Sequence, residues 1–217
     1  QGGATNDLNW GHVLISQSGT TTDTGGRLAF GANGENPIAG IRAKYKGATY
    51  GDLAFLTRPS GGTNTERMVI DSAGHVTMPN QPAFSASVAS TQSNLAVGQN
   101  VDIVFGTEIY DIGDNFASNT FTAPVAGKYQ LSYFVRLDAI DTAASYYYLM
   151  IKTTNRNYSP IYAGSTFGAS DPTYMSLTFS VLADMDANDT AKVTYDQTGG
   201  TGQVDVADGV FTGVLVC

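Results

Sequence analysis

Cysteine, histidine and charge are all scarce in this chain, and each scarcity removes a class of explanation. Cys217 is the only thiol among 217 residues, so no disulfide forms within the chain and stability has to come from packing and assembly. The terminal thiol itself is read as inert rather than as an interchain bridge. His12 and His75 are the only two imidazoles, and neither has a second ligand at metal-binding spacing. No Gly-x-Ser-x-Gly elbow and no phosphate-cradling glycine loop occurs. Asp184-x-Asp186-x-Asn188 opens like a calcium loop, but Asp189 and Tyr195 stand where that loop needs Gly and Glu, so a polar turn is expected. No metal, cofactor or catalytic residue is expected, and the chain is read as no enzyme. Long apolar runs are missing too: nothing approaches the ~18 residues of a membrane-crossing helix, and no basic-then-apolar leader precedes Gln1. No membrane insertion is expected, and the missing initiator Met suggests a piece of a longer polypeptide.

What is present is glycine and a polar, weakly charged surface. The 25 glycines are about 12% of the chain against a typical ~7%, which favours a turn-rich β protein. Charged residues make up 14%, well under the usual ~25%. The composition changes near residue 80. Val, Ile, Leu, Met, Phe, Trp and Tyr number 19 in residues 1–80 and 47 in residues 81–217, so the second part can bury a core by itself and the first cannot. Charge divides at the same place: six basic and six acidic side chains up to residue 81, five and thirteen beyond it. An acidic C-terminal part without a Lys/Arg cluster argues against nucleic acid or anionic lipid as partner. Pro79-Asn80-Gln81-Pro82 reads as the junction, giving domains 1–79 and 80–217.

In the N-terminal part, short strands are expected at His12–Ser16, Arg27–Gly31, Ile38–Lys44, Gly51–Thr57, Glu66–Asp71 and His75–Met78, each bounded by turn residues. Asp71-Ser72-Ala73-Gly74 fits a hairpin turn, with Gly where φ > 0 is needed. Below ~80 residues a lone core is marginal, so these strands are expected to intertwine with other copies in a trimeric shaft. The stretch Gly26-Arg27-Leu28-Ala29-Phe30-Gly31, then Gly40-Ile41-Arg42, then Tyr50-Gly51-Asp52-Leu53-Ala54-Phe55, then Glu66-Arg67-Met68-Val69-Ile70-Asp71-Ser72-Ala73-Gly74-His75-Val76 resembles the shaft segments of phage tail fibres. That resemblance covers roughly residues 25–78.

The C-terminal part offers strands at Thr120–Ala123, Lys128–Leu137, Tyr146–Thr153, Tyr174–Ala183, Ala191–Tyr195 and Val210–Val216, without helical periodicity. An antiparallel sandwich or jelly roll is expected, so the fold class is all-β throughout. Pro82-Ala83-Phe84-Ser85-Ala86, Tyr110-Asp111, Phe121-x-x-Pro124-x-x-Gly127-x-Tyr129 and Gly209-Val210-Phe211-Thr212-Gly213-Val214-Leu215 together resemble the C1q domain of the C1q/tumour-necrosis-factor superfamily. The resemblance implies a jelly-roll protomer in a compact homotrimer, with aromatic residues near the threefold axis. Phe84, Tyr129 and Phe211 match its aromatic positions and are expected in the head's core or at the trimer centre.

These readings combine into a non-catalytic trimeric fibre tip on a virion surface, binding a host cell-surface glycan or protein. A structural trimerisation cap and a polysaccharide-degrading fibre enzyme are the alternatives. Strand parity, counted back from the last strand, puts the loops Thr154–Thr173 and Gln197–Asp208 at the distal tip and the acidic turn Asp184–Thr190 at the base. Tyr158, Tyr162, Phe167, Asp171, Gln203 and Asp205 are the candidate binding residues, because rigid aromatics among small polar residues suit adaptable contact loops. The competing reading packs those aromatics into the trimer core.

Overall fold

A computed structural model describes residues 21–31, 37–47 and 49–217; the strand expected at His12–Ser16 lies outside them. The chain divides into two compact units, Gln1–Asn80 and Gln81–Cys217.

The N-terminal unit contains β1 (Arg27–Gly31), β2 (Pro37–Gly47), β3 (Tyr50–Thr57), β4 (Thr65–Ile70) and β5 (Val76–Thr77). They form one antiparallel meander in sequence order. Each of these ladders pairs two strands of the same chain. The hairpin at Asp71–Gly74 closes with Gly74 at φ 88°, its N–H donating to Asp71 O at 3.0 Å. Alternation gives the sheet two unlike faces. Leu28, Ile41, Phe55 and Met68 are aligned across four strands, with Ala43, Leu53, Ile70 and Val76 in a parallel row. The opposite face carries Arg42, Lys44, Asp52 and Glu66, where Glu66 bridges Arg42 and Lys44 and Lys46 joins Asp23 to Asp52. On the apolar face Leu28, Phe30, Leu53 and Val76 remain exposed.

The C-terminal unit contains β6 (Ala83–Ser87), β7 (Val101–Asp102), β8 (Thr107–Ile112), β9 (Phe116–Ala117), β10 (Thr120–Thr122), β11 (Gly127–Asp138), β12 (Tyr146–Thr153), β13 (Asn157–Tyr158), β14 (Ile161–Tyr162), a 3-10 turn (Gly164–Phe167), β15 (Tyr174–Met185), β16 (Thr190–Thr198) and β17 (Asp205–Leu215). One sheet has the order β15-β11-β17-β6-β8; the other runs β13-β12-β16-β10-β9, with β14 beside β12 and β7 beside β16. From β10 to β17 the main strands alternate between the two sheets, which is the jelly-roll crossing pattern. Two differences from the sequence reading matter for function. The polar stretch after Thr153 contains two short strands, because Tyr158 and Tyr162 fall in register with Ile151 and Tyr147. The last strand begins five residues before Val210: Val204 and Val206 are buried, and a bulge in register between Arg136 and Leu137 lets Asp205 and Asp208 pair despite their low β preference.

The core is aromatic. Phe84 stacks on Phe116 and Phe121 at centroid distances of 4.9 and 4.7 Å and meets Phe211 edge-on at 5.0 Å, while Phe121 touches Tyr129 at 5.4 Å. Phe84, Tyr129 and Phe211, singled out above, are thus fully buried between the sheets of one protomer. Buried phenols need an acceptor: Tyr129 donates to Val125 O at 2.8 Å and Tyr133 to Leu149 O at 2.6 Å. Burial pushes the Tyr133 and Tyr195 phenols far above their ordinary range. Gly213 is required where it stands, since a Cβ there would collide with the Phe84 ring and Leu131. Phe211→Ala should therefore cost about 3 to 5 kcal/mol, read as a lowered midpoint of head unfolding; an unchanged midpoint would contradict this packing.

Candidate functional site

Strand register fixes the two ends of the sandwich. Gly127, Met185 and Leu215 share one end with Ala83, where the unit's termini lie; Asp138, Tyr174 and Asp205 share the other. Three connections meet at this second end, called the tip here: residues 139–145, 163–173 and 199–204.

Asp141 holds them together. Only 8% exposed, its Oδ2 accepts the backbone N–H groups of Thr201 and Gly202, both at 2.8 Å, and its Oδ1 accepts that of Ala143 at 2.8 Å. The Tyr147 hydroxyl clamps the backbone of the same residue, donating to Asp141 O at 2.7 Å and accepting from Asp141 N at 2.9 Å. Burial pushes that phenol up to about 12. Gly200, at φ 72°, is what lets the third loop come so close, because a Cβ there would meet the Asp141 carboxylate. Asp171 ties the second loop to the first, accepting Thr142 N at 2.8 Å and Thr142 Oγ1 at 2.6 Å on Oδ1. Between them lies a depression of about 310 Å³ lined by Ala139, Ile140, Asp141, Asp171, Thr201 and Gly202. Asp141 and its glycine partners carry no motif; the sequence signal for them was only the Gly199-Gly200 pair.

The structure scatters the candidate binding residues. Asp171 lies in the tip depression. Asp205 sits on β17 rather than in a loop, and its Oδ1 accepts Asn94 N at 2.7 Å, while Gln203 Nε2 donates to Asn94 O at 3.3 Å; both serve the backbone. The connection Thr154–Thr173 does not lie wholly at the tip. It starts at the base, where Asn155 Nδ2 donates to Asp184 O at 3.2 Å and Asp189 Oδ2 at 2.7 Å, climbs the edge of β12 as β13 and β14, and reaches the tip only at its second half. Tyr158, Tyr162 and Phe167 are partly buried against the core, with Phe167 edge-on to Tyr147 at 5.6 Å. They pack in their own protomer and stay partly exposed. The turn after β15 is a polar turn, closed by Asp189 Oδ2 accepting Asp186 N at 2.7 Å. Among the described residues, no group of three His, Cys, Asp or Glu side chains could hold a metal ion, and no helix is long and apolar enough to cross a membrane.

No family model and no curated protein matches the chain. Among solved structures, the globular domain of zebrafish complement 1qA is similar over 63% of this chain and 98% of its own, at 20% identity and a TM-score of 0.49. Murine APRIL matches over 63% and 99% at 10% identity and a TM-score of 0.44. The PRD1 vertex protein P5 matches over 63% and 98% at 11% identity and a TM-score of 0.43.

The three N–H donors hold the Asp141 carboxyl below the usual value of 3.8, with the bonds from Gly202 and Thr201 contributing most. A lowered folded pKa means that this contribution to stability is complete above the unfolded value and is lost as pH falls through the folded one. The head's melting temperature should hold down to about pH 4 and decline below it. In Asp141→Asn the midpoint at neutral pH should be lower and that acid limb shallower; equal limbs would show that Asp141 does not brace the tip.

Proposed function

We propose that this chain is the non-catalytic end of a trimeric phage or viral fibre: residues 1–79 a shaft segment, residues 80–217 a head that attaches to a host surface receptor, glycan or protein. One observation carries the reading: in each unit, the described residues of that unit leave one sheet face uncovered whose centre carries no charge. In the N-terminal unit it is the face of Leu28, Ile41, Phe55 and Met68. In the head it is the outer face of the β11 sheet, where Ser132, Phe134, Thr178, Ser180, Val210 and Thr212 lie in adjacent rows. Charges appear there toward the ends, as the Lys128–Asp184 pair and as Arg136 with Asp138 and, across the ladder, Asp208. Such faces suit packing between identical copies, because no ionic group is stranded when they meet. Three is the number implied by the resemblance of the head to C1q domains.

With copies packed on that face, the braced tip remains free, at the end opposite the unit's termini. Asp141 supports a binding rather than a catalytic role: a carboxylate that already accepts three backbone N–H groups, with a lowered pKa, is a poor general acid. A cap that only registers and ends the fibre would share the trimer and lack the receptor.

Sedimentation equilibrium on the whole chain should give the mass of three copies. Val210→Arg together with Thr212→Arg should shift it toward single chains, since each copy would bury uncompensated charge. On trimeric protein, Asp171→Ala with Thr201→Ala should reduce adsorption to host cells, while Asp186→Ala at the base should leave it at the wild-type level. Loss with Asp186→Ala alone would reverse the assignment of ends, and a trimer that adsorbs to no host cell would leave the cap reading standing.

A further inference from the structure

One exposed ring, Tyr174, stands at the tip end; a second group of outward-facing tyrosines stands on the head's flank. In β12 and β16 the residues Tyr147, Leu149, Ile151, Val193 and Tyr195 point into the core, so Tyr146, Tyr148, Thr194, Asp196 and Thr198 point the other way. Register places Tyr148 directly opposite Asp196 and Tyr146 opposite Thr198. On its other side Tyr148 pairs with Ile161, which is 58% exposed. Ile161, Tyr148 and Asp196 therefore form a row across three strands, about 10 Å long at the usual ~4.8 Å strand spacing. The Tyr146 and Tyr148 rings meet edge-on, 5.0 Å apart at 71°, so each holds the other's orientation.

Two polar atoms on this face lack partners. Asp196 Oδ1 is shielded from solvent and accepts no hydrogen bond, and the hydroxyl of Thr194, a residue only 1% exposed, is also unpartnered. Leaving such groups without partners costs stability. A carboxylate next to an aromatic face and an exposed isoleucine forms a recognition pair: the ring and Ile161 supply an apolar platform, and the carboxylate's second oxygen, Oδ2, accepts from hydroxyl groups set around its edge.

We infer that this lateral surface binds a neutral sugar, one apolar face of a pyranose lying against Tyr148 and Ile161 while its hydroxyls donate to Asp196. An anionic sugar fits poorly, because residues 82–217 carry thirteen acidic and five basic side chains. A cationic ligand fits poorly as well, because Lys152 and Lys192 are paired across the same strands on the same face and only Lys192 is neutralised there, by Asp102 at 2.8 Å. In the fibre reading above this sugar belongs to the host receptor, but the site itself is defined without that reading.

The test uses the whole chain and free ligands: the methyl glycosides of glucose, galactose, mannose and N-acetylglucosamine, with sialyllactose as the anionic comparison. Saturation-transfer NMR should show at least one neutral glycoside binding, and titration should show its affinity falling about tenfold or more in Tyr148→Ala and in Asp196→Asn. Tyr148→Phe should retain binding, and Asp186→Ala should not affect it; melting temperatures in the same preparations establish that each variant is folded. Unchanged affinity in folded Tyr148→Ala and Asp196→Asn, binding of sialyllactose alone, or no binding of any neutral glycoside would each overturn the inference. Adsorption of the same wild-type protein to host cells reports separately on the fibre reading: adsorption without glycoside binding sinks only the lateral site, and glycoside binding without adsorption sinks only the attachment function.

Discussion

Every outward-facing feature of the head depends on the register that its aromatic core imposes. Side chains alternate along a strand, so a slip of one residue would exchange the two faces of that strand. Phe84, Phe121, Tyr129 and Phe211 interlock across the two sheets and make such a slip prohibitive, because it would drive polar residues into the space they fill. The same alternation that seats Tyr147 and Tyr195 inside sets Tyr148 against Asp196 outside. It also lays Ser132, Phe134 and Thr212 together on the outer face of the other sheet. The surface chemistry of the molecule is thus a consequence of how its interior packs.

The two units solve the problem of a one-sided sheet differently. In the head a second sheet covers the apolar face of the first, and the product is a closed core. In the N-terminal unit the meander has no second layer of its own chain among the described residues, and its charges are gathered on the opposite face, paired around Glu66. That leaves Leu28, Ile41, Phe55 and Met68 as one apolar row on the other face. A sheet built this way is stable to the extent that its apolar side is covered.

Much of the fold was legible in the sequence, and for a plain reason: β12 was readable from Tyr146 to Thr153 because both its ends coincide with turn residues, and β11 and β15 because their apolar residues recur at every second position. Where the signal failed, the cause was local. Asp205, Ala207 and Asp208 have poor strand preference, yet they extend β17 because Val204 and Val206 bury on one side and a bulge absorbs the extra residue. Tyr158 and Tyr162 looked like loop aromatics because their strands are two residues long, too short for any periodicity to register. The tip brace was out of reach for another reason: Asp141, Thr201 and Gly202 are about sixty residues apart and interact through backbone N–H groups, which leave no imprint on residue type. Strand parity located the ends of continuous connections, but it failed on Thr154–Thr173, which contains two strands and so changes ends partway along.

The two faces of β12 are also subject to different rules of variation. A change at Tyr147 or Leu149 is felt by the whole core and by the Asp141 brace, so the fold itself resists it. A change at Tyr146 or Tyr148, one position away in each case, alters only what the flank displays. A lineage of such heads can therefore explore new surfaces by single substitutions without re-solving its folding problem, and divergence among descendants should accumulate at alternate positions of this strand while the residues between them stand still.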